Sequence, residues 1–222
     1  MDVEPPPRVA SAMLDDRLRP VKERVLARPA RQLARWTSPT AISVVACLIT
    51  LGAAGAAWQG AWIPALVLWL AGRTLDGMDG VVARVQGSSS DFGGYLDIVL
   101  DTVGYAAVPL GIAAWFGTPA AWMAAAVLVA TFYVNTVSWS VLATLLVKRE
   151  QTGALGPDGA RFTSAPIPRG LVEGTETIVF YALMLALPAW APALMWLMAA
   201  LVVVTAAERV RWAGRTLRDG GR

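Results

Sequence analysis

Four of the five aspartates between positions 76 and 101 are the residues of this chain best suited by type and spacing to do chemistry. The stretch Asp76 to Asp101 reads DGMDGVVARVQGSSSDFGGYLDIVLD. Asp76 and Asp79 are three apart, while Gly93, Asp97 and Asp101 follow one another at steps of four. At about 100° per residue, each set falls along one face of a helix. Two helices joined by the Gly/Ser-rich segment 86–91 would therefore present four carboxylates towards each other. The runs on either side are apolar and long enough for a bilayer, where a carboxylate at the centre of a span costs about 2.5–3.5 kcal/mol. Acids retained at that cost point to function. The plainer alternative is a set of helix-end aspartates neutralised by Arg73 and Arg84. An all-oxygen donor set of this density suits hard divalent ions such as Mg2+, Mn2+ or Ca2+. Two such ions about 3.5–4 Å apart would form the clamp used in phosphoryl transfer.

Written as spacing, the stretch is Asp76-x2-Asp79-Gly80-x2-Ala83-Arg84-x8-Gly93-x3-Asp97-x3-Asp101. It resembles the signature of the CDP-alcohol phosphatidyltransferases, integral membrane enzymes of phospholipid synthesis, at all eight fixed positions. The resemblance implies attack of an alcohol hydroxyl on the β-phosphorus of a CDP-linked lipid, most simply CDP-diacylglycerol, with release of CMP. It also implies two divalent ions, Mg2+ or Mn2+, held by Asp76, Asp79, Asp97 and Asp101. In this reading Asp97 and Asp101 form the catalytic pair, with Asp101 sharing a metal and taking the proton. Gly80 and Ala83 have minimal side chains, which lets a diphosphate or ribose approach the helix. Arg84, one turn on, can reach a phosphate or pair with a ligand carboxylate. Gly93 completes the CDP-binding set with Asp79, or serves close helix contact.

Composition bounds what else the chain can be. Of its 222 residues, 56% are hydrophobic, which points to one membrane domain rather than a soluble core. Histidine is absent and cysteine occurs once, as Cys47 within an apolar run. No Ser-His-Asp or Cys-His triad, imidazole ligand or intramolecular disulfide can therefore form. The net charge of +3 does not imply nucleic acid, because the charge is sorted by side. Basic residues gather at Arg8 to Arg35, at Lys148, Arg149, Arg161 and Arg169, and from Arg209 to Arg222. The alternate connections, near Trp58 to Trp62, Gly117 to Trp122 and Pro188 to Pro192, carry none. This is the positive-inside pattern of a membrane protein.

The expected fold is an all-α membrane protein of six transmembrane helices, preceded by an amphipathic interfacial helix. Residues 1–37 form a cytoplasmic arm, 38–212 the six-span domain, and 213–222 a basic tail. Ser38-Pro39 opens the first span as cap and first helical residue. The second runs from about Trp62 through Asp79, the third from Gly94 to Phe116, and the fourth from Thr118-Pro119 to Val147. The segment 148–168 is a candidate lid on the side of the signature. The fifth span begins at about Arg169 and the sixth at about Pro192. Six spans place both termini and the acidic site in the cytoplasm, in a bacterial inner membrane, with lipids as neighbours and a homodimer left open. A cation transporter is the competing class, disfavoured because the two halves of the chain are not alike.

The acceptor alcohol is the least legible part. The fifth span starts Arg169-Gly170-Leu171-Val172-Glu173-Gly174-Thr175-Glu176-Thr177. It is similar to the Glu-Arg-x-Glu-Arg sequence of family members with phosphorylated acceptors, but Gly174 and Thr177 stand in place of the arginines. A bidentate grip on an acceptor phosphate is thereby lost. The expectation is a small unphosphorylated polar alcohol, with Glu173 or Glu176 available to an ammonium. Lys148, Arg149, Arg161 and Arg169 keep a phosphorylated acceptor open.

Overall fold

A computed structural model describes residues 29–151 and 174–219, all in helices and their connections. The rest of the arm, most of the 148–168 loop, and Arg161, Arg169 and Glu173 lie outside the described residues. A helical turn at residues 29–33 precedes six long helices: α1 (Pro39–Trp58), α2 (Trp62–Gln86), α3 (Asp91–Phe116), α4 (Pro119–Gln151), α5 (Gly174–Ala186) and α6 (Ala191–Asp219). A single 3-10 turn, Pro188–Trp190, joins the last two.

Local chemistry sets the helix ends. Ser38 caps α1 by accepting the Ala41 amide at 3.2 Å, with Pro39 in the first turn as expected. Ser90 caps α3 by accepting the Gly93 amide at 3.1 Å, so α3 begins at Asp91, three residues earlier than the apolar pattern suggests. Gln86 belongs to α2 rather than to the turn, and Gly87 ends that helix in the left-handed conformation. The last helix runs through Asp219 without a break, so residues 213–219 extend it.

The helices close into a ring in which α1 packs on α2 and α3, α2 on α5, α5 on α6, α6 on α4, and α4 on α3. Four of the described helices, α1, α3, α4 and α6, contain segments long and apolar enough to cross a membrane. At 25 residues, α2 spans about 37 Å, but it carries Arg73, Asp76, Asp79 and Arg84. It fails on apolarity because it holds the acids. Of α5, 13 residues are described. Apolar side chains such as Leu48, Val67, Val103, Leu183 and Val203 face outwards. In a protein with this many apolar helices they are the surface offered to lipid. The chain is an integral membrane protein. Trp58, Trp115, Trp122 and Trp190 are exposed at helix ends remote from the acids, and Trp62 packs edge-on against Trp115 at 4.8 Å.

Small residues let the site-bearing helices approach. A Cβ on Gly111 of α3 would lie 2.4 Å from the Ala54 carbonyl oxygen of α1, so only glycine fits that crossing. Trp69, Tyr181, Met184, Leu185, Met195 and Met198 belong to the buried core, which also takes in Ala54. Pro109 inside α3 cannot donate to the Tyr105 carbonyl one turn earlier. The Tyr181 hydroxyl of α5 fills that vacancy at 2.6 Å, tying α5 to α3. Trp69 stacks on Tyr181 with ring centroids 4.9 Å apart and donates its indole N–H to the Ile178 carbonyl at 3.1 Å. These bonds fix α2 and α3 relative to α5, and so fix the helices that carry the aspartates.

The end of the arm is docked as well. Ala30 is fully buried against Ile42, Met78 and Val82. Gln86 donates to the carbonyls of Ala34 and Thr37 at 2.8 and 2.9 Å. The last part of the arm is thereby fastened to the end of α2 that follows the signature.

Candidate active site

Three of the four aspartates expected to face one another come together where α2 meets α3. One carboxylate oxygen from each of Asp76, Asp79 and Asp97 lies within 4.8 Å of the other two. Asp76 and Asp79 project from α2, and Asp97 faces them from α3. All three are partly buried, open enough for a ligand to enter and shielded enough to strengthen its field. Acid-only oxygen donors at this spacing fit a hard divalent cation.

The fourth aspartate is engaged differently. Asp101 accepts a hydrogen bond from Arg73 Nη1 through Oδ1, and the same nitrogen lies 3.6 Å from Asp76 Oδ2. Arg73 also donates to Thr50 Oγ1 of α1 at 3.2 Å. Thr50 in turn donates to the Ala46 carbonyl at 2.9 Å, which fixes the direction of its lone pairs. The structure thus divides the four acids into a convergent set of three and a neighbour held by a buried arginine.

Helix α1 contributes more than the aspartate spacing reveals. Ser43, almost fully buried, donates its hydroxyl to Asp79 Oδ2 at 2.6 Å. Oδ1 of the same carboxylate accepts the Gly80 amide. Asp79 is therefore oriented through both oxygens. Ser43, Cys47 and Thr50 fall along one face of α1 at steps of four and three. A polar stripe on an otherwise apolar span signals a face turned inwards, and that signal could have marked Ser43 and Thr50 as site neighbours.

The remaining predicted residues are distributed as follows. Gly80 and Ala83 lie on the next turns of α2, both partly exposed. Arg84 lies in the last turn, with a guanidinium nitrogen 3.6 Å from where a Cβ on Gly80 would stand. Gly93 is in the first turn of α3, bound to its Ser90 cap. Lys148 is exposed on the last turns of α4. Arg149 donates to the carbonyls of Thr216 and Leu217 at 3.2 and 2.6 Å, which ties α4 to the C-terminal end of α6. Glu176 is partly buried in the first turn of α5.

A family model for CDP-alcohol phosphatidyltransferases matches residues 36–207, which covers every helix that carries these acids. The chain belongs to the CDP-alcohol phosphatidyltransferase family. It is 34% identical over 203 residues to the inner membrane protein YnjF of Escherichia coli strain K12, covering 91% of this chain and 95% of that protein. It is similar in fold to the phosphatidylinositol phosphate synthase PgsA1 of Mycobacterium tuberculosis with CDP-DAG bound. That likeness has a TM-score of 0.61 at 21% identity over 85% of this chain and 92% of the other. The same synthase in complex with manganese and citrate gives a TM-score of 0.64 at 20% identity over 84% and 87% of the two chains. The structural likeness shows a shared architecture, and the family model and the full-length relative show membership.

Proposed function

We propose that this phosphatidyltransferase moves a phosphatidyl group from CDP-diacylglycerol or a closely similar CDP-linked lipid to a small polar alcohol, releasing CMP. The observation that carries the reading is the convergence of Asp76, Asp79 and Asp97 across two helices, with Asp101 one turn further along α3. Asp76, Asp79 and Asp97 would hold Mg2+ or Mn2+, with Asp101 able to share one of two ions. When bound, such ions would neutralise the pyrophosphate as its bond to CMP breaks. The manganese complex of the structurally similar synthase supports this choice of cation.

The chain's own groups account for the rest. Asp101 accepts from Arg73 through Oδ1, and Oδ2 is the oxygen we assign to the proton of the acceptor hydroxyl. The alcohol oxygen then bonds to the β-phosphorus, and the departing phosphate oxygen stays with CMP. Ser43 and the Gly80 amide keep Asp79 in one orientation, which lowers the cost of assembling the site. Gly80 and Ala83 leave room for the cytidine diphosphate beside α2, with Arg84 as a phosphate contact and Gly93 lining the facing helix. We place the protein in a bacterial inner membrane, as the name of its Escherichia coli relative suggests, with the site and both termini cytoplasmic. We divide it into an arm at 1–37, a catalytic domain at 38–212 and a tail at 213–222.

For the acceptor we favour an unphosphorylated polar alcohol. Gly174 and Thr177 stand where phosphate-gripping arginines would be, and Thr177 is buried. The phosphatidylinositol phosphate synthase fold of the solved relatives supports the second reading, a phosphorylated acceptor. The deciding experiment is a parallel assay of purified protein with labelled CDP-diacylglycerol and divalent metal. Serine, ethanolamine, choline and inositol are set against glycerol-3-phosphate and inositol phosphate. Product from the first group supports the preferred acceptor class, and product from the phosphorylated alcohols alone overturns it.

A further inference from the structure

The last two turns of α2 carry Gly80, Ala83 and Arg84 and end at Gly87, where the chain leaves the helix in a Gly/Ser-rich turn. Helix ends of this kind open locally at little cost in free energy unless something holds them. Here the end of the arm does so. Met78, Val82 and Gln86 follow one another at steps of four and form one stripe along α2. Asp76, Asp79, Gly80 and Ala83 occupy a neighbouring face, about 110° round the helix. Met78 and Val82, with Ile42 of α1, close over the fully buried Ala30. Gln86 Nε2 donates to the carbonyls of Ala34 and Thr37 at 2.8 and 2.9 Å, and Gln86 Oε1 accepts from Ser88 Oγ at 3.1 Å. A backbone carbonyl only accepts, so both amide N–H groups are used and the side chain has one orientation. Thr37 adjoins the Ser38 cap of α1, so a single side chain ties the end of α2 to the entrance of α1.

We propose that Gln86 is a positioning residue through which the end of the arm holds the last turns of α2 in the place that receives the cytidine diphosphate of the donor lipid. The proposal rests on the phosphatidyltransferase reading above. Met78 immediately precedes Asp79 and Val82 immediately precedes Ala83, so the arm grips the same turns from beside the site face. The carboxylates have supports of their own, Ser43 and the Gly80 amide on Asp79 and Arg73 on Asp101. Loss of the Gln86 contact therefore weakens the hold on the donor and leaves the metal and the chemical step in place. An arm that only stabilised the bundle would, on release, lower the yield of folded protein and leave KM unchanged.

The test compares wild type, Gln86→Leu and Gln86→Lys as full-length protein in detergent. The dissociation constant for CDP in the presence of Mn2+ is measured by calorimetry, and kcat, KM for CDP-diacylglycerol and the half-saturating Mn2+ concentration by CMP release. Leucine removes the donors, whereas lysine restores donation from a side chain of similar reach. In Gln86→Leu the CDP dissociation constant and KM are both expected to rise about tenfold. Its kcat and half-saturating Mn2+ concentration are expected to stay within about twofold of wild type, and Gln86→Lys to lie close to wild type throughout. Unchanged CDP affinity and KM in Gln86→Leu, a loss confined to kcat, or a lysine variant as impaired as the leucine one overturns the proposal. Ala30→Asp puts a carboxylate among Ile42, Met78 and Val82 and releases the apolar half of the same contact. It too is expected to raise KM, and an unchanged KM in the folded variant overturns the proposal. If Ala30→Asp does not fold, the substitutions at Gln86, an exposed position, decide the matter alone. Wild type that neither binds CDP nor releases CMP would defeat the underlying reading, whereas wild-type turnover with the wrong variant pattern defeats only the role given to Gln86.

Discussion

Removing the Ser43 hydroxyl tests whether α1 orients the acidic site. In Ser43→Ala the 2.6 Å bond to Asp79 Oδ2 is lost, and the methyl group that remains cannot replace the donor. A hydrogen bond to a charged acceptor is worth about 1.5–3 kcal/mol. Asp79 keeps its Gly80 amide contact, so the carboxylate becomes looser rather than free. If that energy is drawn from metal binding, the half-saturating Mn2+ concentration rises about ten- to a hundredfold. The assay is CMP release from CDP-diacylglycerol across an Mn2+ titration, with thermal unfolding in detergent run alongside. Recovery of most of the maximal rate at saturating Mn2+ is expected, since Ser43 touches a metal-site carboxylate and not the reacting groups. An unchanged Mn2+ requirement would refute the argument that α1 positions Asp79.

Other outcomes follow from the same contacts. Asp97→Asn and Asp101→Asn should each reduce turnover to background while leaving a folded, monodisperse protein, and near wild-type activity in either would remove that residue from the chemistry. Tyr181→Phe leaves the Tyr105 carbonyl without its 2.6 Å donor, at a cost of about 1–3 kcal/mol. Its unfolding temperature should therefore drop, and an unchanged value would mean that another group satisfies that carbonyl. Ser89→Cys in the turn after α2 and Gln59→Cys in the turn after α1 lie at opposite ends of the bundle. In intact cells an impermeant thiol reagent should label only Gln59→Cys, and the reverse pattern would invert the proposed topology.

The aspartate cluster was readable in the sequence because helical periodicity is local. Spacings of three and four residues predict a shared face whatever the surroundings, and Asp76 and Asp79 share the face of α2 that meets Asp97 of α3. The pairing of α1 with the site was not readable in that way. Ser43 meets Asp79 across 36 positions and Thr50 meets Arg73 across 23, and such contacts depend on how the helices pack. Arg73 could be named from sequence as a partner for an aspartate, but its choice of Asp101 over Asp79 is a matter of geometry. Helix ends were less accurately placed where polar residues continue a helix beyond its apolar run. Gln86 and residues 213–219 are both helical for that reason. The acceptor end is divided, with Arg149 bound to α6 carbonyls, Glu176 in α5, and Arg169 and Glu173 outside the described residues.

The activity we propose is transfer of phosphatidyl groups from a CDP-linked lipid by the acidic site loaded with a divalent ion. Its most direct test is to incubate the purified protein, stripped with EDTA, with labelled CDP-diacylglycerol and the alcohol panel before and after Mg2+ or Mn2+ is restored. No CMP is expected from the stripped protein; once metal returns, CMP is expected in equal amount to a new phosphodiester lipid. Full turnover in EDTA, or no CMP with any alcohol and either metal, would contradict it.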